Sequence, residues 1–272
     1  MSRADLIAAL SWQVDLGADE AIQEVPVDRF AEPAVAARSA GVEVPRAASG
    51  PTGAEVIARQ KEGDAEGRAG ELAKAASTLE DLHKAMAGWD GSDLKKGAKN
   101  CVFADGSPGA HLMIIGEAPG ADEDRQGKPF VGRAGQLLDK MLAAIGLDRN
   151  AEDPATSAYI ANILPWRPPG NRTPSEREVA LFLPFIERHI ELAQPRFLFT
   201  IGNTPTKALL GTQTGIKRMR GRWQRHDASG LPLLPSFHPA YLLRQPAEKR
   251  LTWQDLQALR RALDGDAPDV EG

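Results

Sequence analysis

The sequence predicts an α/β fold, a three-layer αβα sandwich around a central four-stranded parallel sheet. Three observations carry that expectation. Four short apolar runs have the length of buried strands, amphipathic helical stretches separate them, and 272 residues with 42% apolar content suffice for one medium domain with an appendage. Strands that alternate with helices imply crossover connections and so a parallel sheet covered on both faces.

In chain order, residues 4–16 place apolar side chains at helical spacing and read as one amphipathic helix. From Ala31 to Ala76 the chain is rich in Ala, Pro, Gly and Glu, with no aromatic after Phe30, and reads as a linker or partly helical excursion. A helix over Thr78–Trp89 leads into the folded region. Strands are predicted at His111–Gly116, Tyr159–Leu164, Arg196–Gly202 and Leu231–Phe237, and helices at Gly135–Ile145, Ser175–Leu192, Thr204–Leu210 and Leu251–Leu263. The expected organisation is an N-terminal helix plus extension over 1–77, a domain over 78–263 and an acidic tail over 264–272.

Charge and cysteine content exclude several classes. The formal net charge is −4, which argues against a strongly basic protein that coats nucleic acid. That figure averages unlike regions: residues 1–80 hold 14 acids and 8 bases, residues 81–263 hold 19 acids and 25 bases, and the last nine add four acids. The single cysteine, Cys101, excludes an internal disulfide framework and a zinc site of several thiolates, and points weakly to a reducing compartment. No membrane-length apolar run and no secretory signal are visible, so a cytoplasmic location is expected.

In open parallel sheets, ligands bind at the carboxyl ends of the strands, and five segments fall there or in neighbouring loops. Gly116–Gly120 (GEAPG) follows the first strand and precedes the acids Asp122, Glu123 and Asp124. The glycine-rich loop Gly127–Gly135 presents Phe130. Asn162 sits within an apolar strand, where its amide needs partners and can match a nucleobase edge; a Pro-rich loop with Arg167, Asn171 and Arg172 comes next. Lys217–Arg225 carries five bases and Trp223 in nine residues, a phosphate-facing candidate. His238 ends the last strand, ahead of Tyr241, Leu242, Leu243 and Arg244, where apolar wedges for unstacking DNA are expected. Each segment alone has an ordinary structural explanation: a tight turn, a core Phe, a satisfied Asn, a solvated charged hairpin, a structural His.

Taken as an ordered set, GEAPG, GKPFVGRAGQLL, NILPWRPPGNRTP, RFLFTIGNTP and SFHPAYLLR resemble the family-four uracil-DNA glycosylases over about Thr78–Leu263. The resemblance implies monofunctional hydrolysis of the N-glycosidic bond of deoxyuridine. Phe130 would stack on the flipped uracil, Asn162 would read its Watson–Crick edge, Glu123, Ala118 and Gly120 would shape the pocket, and His238 would stabilise the departing anion. Glu117 would stabilise the oxocarbenium-like sugar, while Glu117 and Asn171 both remain open as the water-positioning residue. Arg172, Arg218, Arg220, Arg222, Tyr241, Leu242, Leu243 and Arg244 would contact DNA.

Two departures stand out. Ala118 occupies the position where the best-known uracil-DNA glycosylases place a water-activating Asp. Trp89, Ser92, Trp166 and Phe182 fall where the family places the four cysteines of an iron–sulfur cluster, so no cofactor is expected and the aromatics are expected to brace the fold by packing. The basic loop contains no histidine, which argues against covalent capture of the product. The expected partners are uracil-containing DNA, single- or double-stranded, with free uracil as product, no membrane, and a monomeric state. A low-turnover binder of uracil-containing or abasic DNA is the alternative. A glycosylase for another deaminated base such as hypoxanthine is a weaker third.

Overall fold

The computed structural model describes residues 65–270; the helix expected over 4–16 lies outside them. One mixed sheet organises the chain, with strands β1 (Ala104–Gly106), β2 (Leu112–Gly116), β3 (Ala158–Asn162), β4 (Phe197–Ile201), β5 (Gln224–Arg225) and β6 (Pro232–Ser236). Their order is β1-β3-β2-β4-β6-β5. The four inner strands are the predicted ones and pair in parallel. The sheet has six strands rather than four, because short antiparallel edges, β1 on β3 and β5 on β6, extend it. At three residues and two, these edges carry no apolar run from which a strand could be read.

The layers arise from strand alternation, since successive side chains point to opposite faces. Met113 and Ile115 of β2 enter a core with Tyr159, Leu198 and Leu233, whereas Leu112 and Ile114 enter the other with Ile160, Phe199 and Leu234. The first face is covered by α1 (Leu79–Gly88) and α5 (Glu176–Ala193), the second by α4 (Arg133–Ala143) and α9 (Lys249–Leu263). Both faces of the inner strands are therefore dry, as the unbroken apolar runs require. Residues 65–75 are helical, and Ala69, Ala73 and Ala76 pack into the first core. Small side chains at that spacing form a stripe that fits close against a neighbour, and composition alone undervalues it.

Shorter helices complete the chain: α2 (Leu94–Gly97), α3 (Ala121–Gln126), α6 (Asn203–Leu210), α7 (Ile216–Met219) and α8 (Pro239–Arg244). The chain winds from β2 outward to β3, then crosses back to β4 and β6 on the other side of β2. Such a reversal opens a crevice at the carboxyl ends of the strands. Register brings Gly116 of β2 opposite Asn162 of β3, and Ile201 of β4 opposite Ser236 of β6, so the succeeding loops meet over one edge. Among the described residues, no helix is long and apolar enough to cross a membrane.

Candidate active site

A cavity of about 520 Å³ opens at that edge, lined by residues at or just past the ends of the inner strands: Glu117, Asn162, Asn203 and His238, with Phe130 between them. Asn162 is the last residue of β3 and only 6% exposed. Its side-chain oxygen is buried without a hydrogen-bond partner. A buried acceptor left unpaired costs about 1–3 kcal/mol, so an amide oxygen held this way is set for a donor that arrives with a ligand. Gly116 makes room for it: a Cβ there would lie 2.4 Å from Asn162 Oδ1 and 2.6 Å from Phe130 Cζ.

Phe130 is held in a left-handed backbone conformation, φ +53°, which costs a non-glycine residue about 1–2 kcal/mol. Glu123 holds the loop from one side: Oε1 accepts from the N–H groups of Val131 (3.0 Å) and Gly132 (2.9 Å), and Oε2 accepts from that of Gly120 (3.1 Å). On the other side Arg149 donates to the carbonyls of Pro129 and Phe130. Gly135 permits the tight return, since a Cβ there would overlap the Phe130 carbonyl at 1.8 Å.

His238 is the N-cap of α8, with Pro239 at the first helical position. Its Nδ1 accepts from the Ala240 N–H at 3.1 Å, so the neutral ring carries its proton on Nε2. Burial and, secondarily, the Arg244 charge push its pKa down to about 4 against the pull of Glu123. A neutral N–H donor is therefore present at neutral pH, with its ring centroid 5.6 Å from that of Phe130. Gly202, φ +110°, lets the β4–α6 turn pass close to the ring; a Cβ there would meet His238 Cβ at 3.4 Å.

Two candidates for handling water differ in their surroundings. Glu117 Oε2 accepts from Thr204 Oγ1 at 2.6 Å, which orients the carboxylate. Asn171 Oδ1 is already taken by Arg167 Nε at 2.7 Å, in a turn where Asn171 has φ +56°. Ala118 and Gly120 line the same cavity.

The expected DNA contacts divide. Arg244 and Tyr241 line the cavity, and Leu243 is 39% exposed on α8. Leu242 is 1% exposed and belongs to the core, because consecutive residues on a helix point about 100° apart and α8 packs against α4. The expectation that both leucines reach the duplex is corrected accordingly. Arg220 does not face solvent either: it pairs with buried Asp255 and donates to the Leu251 carbonyl at 2.7 Å. Arg172 lines the cavity mouth in a bidentate pair with Glu178 (2.8 and 2.6 Å), whose carboxyl it holds down near pKa 2. Lys217, Arg218 and Arg222 are exposed.

Sequence reasoning missed Arg149, Thr204 and Asp255. Asp255 had a signal, an acid on the apolar stripe of α9 with Thr252, Leu256 and Leu259. Arg149 had none, because it lies in a polar loop.

The fold and the cavity define an α/β protein with an aromatic and polar cavity at the carboxyl edge of its sheet. The family model described as the uracil DNA glycosylase superfamily matches residues 103–257, more than half of the chain, and the chain belongs to that superfamily. It is similar to the type-4 uracil-DNA glycosylase of Pyrobaculum aerophilum, 35% identical over 184 residues (65% of this chain, 91% of the relative). A second such enzyme, from Saccharolobus solfataricus, is 37% identical over 177 residues (62% and 79%). A third, from Sulfurisphaera tokodaii, is 34% identical over 169 residues (59% and 74%).

The residues at the four expected cluster positions do not fit an iron–sulfur cluster. Trp89, Ser92, Trp166 and Phe182 offer no thiolate, and Trp89 and Phe182 meet edge to face with ring centroids 5.5 Å apart. Trp166 lies in the same apolar core. Cys101 is packed beside that core, and burial pushes its thiol up to about 12.

Proposed function

We propose that this protein excises uracil from DNA by hydrolysing the N-glycosidic bond, releasing free uracil and leaving an abasic site that initiates base excision repair. The observation that carries this reading is the unpaired Oδ1 of Asn162 in a cavity walled by Phe130 and His238. A flipped uracil stacks on Phe130, donates its N3–H to Asn162 Oδ1 and accepts at O4 from the Asn162 amide. Cytosine presents an acceptor at N3 and a donor at N4, so both contacts turn repulsive; mismatched buried polar groups of this kind discriminate by large factors.

His238 then donates its Nε2 proton as a hydrogen bond to O2, where negative charge builds as the glycosidic bond lengthens. A neutral donor is suited to this step, because it stabilises the leaving anion without needing to be charged beforehand. Glu117, oriented by Thr204, lines the same cavity and serves to stabilise the oxocarbenium-like sugar and to take a proton from the attacking water. With Asn171 Oδ1 engaged by Arg167, Glu117 is the better candidate for that water. No lysine is among the described residues that line the cavity, which favours hydrolysis over amine attack on the sugar.

Leu243 and Arg244 enter the duplex beside the extruded nucleotide, while Lys217, Arg218 and Arg222 follow the phosphates. In this reading the protein works as a monomer on nucleoid DNA in the cytoplasm. The test is cleavage of single- and double-stranded uracil oligonucleotides after alkali. Strand scission at uracil is expected. Retarded DNA without scission overturns the reading in favour of a binder, and scission at hypoxanthine but not uracil would reassign the base.

A further inference from the structure

The stacking face of the cavity depends on a residue that never reaches it. Arg149 is 8% exposed as a residue and does not line the cavity, and its guanidinium reaches the carbonyls of Pro129 and Phe130. All three guanidinium nitrogens are engaged. Nη1 donates to the Pro129 carbonyl at 3.0 Å and to Asp105 Oδ2 at 3.2 Å. Nη2 donates to the Phe130 carbonyl at 3.0 Å and pairs with Asp139 Oδ1 at 2.6 Å, which also accepts from Nε at 2.8 Å. One side chain thus ties edge strand β1, helix α4 and two successive carbonyls of the Phe130 loop into a single unit.

We infer that Arg149 is a positioning residue for base binding: by gripping the carbonyls of Pro129 and Phe130 it holds Phe130 in its left-handed conformation and so fixes the plane on which the extruded base stacks. This rests on the proposed uracil excision. The physical need is clear from the backbone. A left-handed φ at a bulky residue relaxes unless its surroundings over-determine it. Within this loop Glu123 grips the N–H groups of Val131 and Gly132, so it fixes the peptide plane after Phe130, which carries the Phe130 carbonyl, but not the plane before it, which carries the Pro129 carbonyl. Arg149 supplies the missing half. A planar fork can serve two carbonyls and two carboxylates at once, which a single ammonium cannot.

The experiment compares wild type, Arg149→Lys and Arg149→Ala in single-turnover excision of a uracil oligonucleotide, with the active fraction titrated and the melting temperature recorded. Binding to abasic DNA, which presents no base to stack, is measured alongside. Excision per active molecule is expected to fall roughly 10- to 100-fold in Arg149→Ala, because small misplacements of a binding group are costly. Arg149→Lys should fall between, abasic-DNA affinity should hold, and millimolar methylguanidinium should restore part of the Arg149→Ala rate.

A merely structural role predicts a lower melting temperature or active fraction with normal excision per active molecule and no rescue, and that result overturns the inference. If Arg149→Ala does not fold, Arg149→Lys decides: normal excision per active molecule overturns the inference, and a reduced rate with unchanged abasic-DNA affinity supports it. Failure of the wild type itself to excise uracil sinks the functional reading instead, so the two failures are distinguishable.

Discussion

The cavity rim and the aromatic layer on the first face of the sheet are built from similar residue types and serve opposite ends. At the rim, Phe130 sits in an unfavourable backbone region, Asn162 keeps an unpaired acceptor, and His238 keeps Nε2 as a proton donor at the cavity. In the aromatic layer, Trp89 packs on Phe182 and Phe185, and Phe103 is sandwiched between His83 and His189 at 4.7 and 4.3 Å between ring centroids. His189 there is paired with the Tyr159 hydroxyl at 2.9 Å. An orphaned polar atom alone does not separate the regions, since the Trp166 indole N–H is unpaired in the aromatic layer. Asn162 is set apart by convergence: its orphan lies at a cavity with a ring-stacking surface and a second donor beside it. Strain and unmet hydrogen bonds mark function where they share one cavity.

The largest test of this contrast is Asn162→Ala, expected to lower uracil excision by roughly 10³-fold or more while sparing abasic-DNA binding and the melting temperature. Undiminished excision would move the base-reading role elsewhere. In the aromatic layer, Phe182→Ala should cost about 3–5 kcal/mol of stability, read by denaturant unfolding, with excision per folded molecule unchanged. A loss of excision without a loss of stability would erase the distinction between the regions.

The two histidines give a smaller, pH-dependent effect. Burial first, and then the neighbouring His83, depress His189 to about 3 in the folded protein, from about 6.5 when exposed. Between those values the unfolded chain holds the additional proton, so stability falls as pH drops from about 6.5 toward 3, by up to about 1.4 kcal/mol per pH unit. His189→Gln should flatten that slope. By NMR, His238 should titrate near 4 with Nδ1 unprotonated; a midpoint near 6.5 would contradict its desolvation.

The smallest effects are expected at the exposed bases of the basic loop. Lys217→Ala and Arg218→Ala should each lower the log–log salt slope of DNA binding by about 0.9 if each contacts one phosphate. Arg220→Ala should instead lower the melting temperature, because it strands buried Asp255, whose carboxyl burial already pushes up in pKa.

Much of the site was legible in the sequence because its signals are local. Apolar runs of six or seven residues specify the inner strands, and the residues at or near their ends, Gly116-Glu117, Asn162, Gly202-Asn203 and His238-Pro239, fall at the carboxyl edge of a parallel sheet. Phe130 in its glycine-rich loop belongs with them.

Other features were decided only by tertiary packing. A guanidinium reads the same in sequence whether it faces phosphate or a buried carboxylate, so Arg220 and Arg149 became distinct only once Asp255, Asp139 and the Phe130 carbonyl came within hydrogen-bonding distance. Leu242 and Leu243 are chemically identical, and the packing of α8 on α4 buries one and exposes the other. The edge strands and the alanine stripe at 69, 73 and 76 exist for the same reason: their stabilisation comes from partners distant in the chain, which no local pattern records.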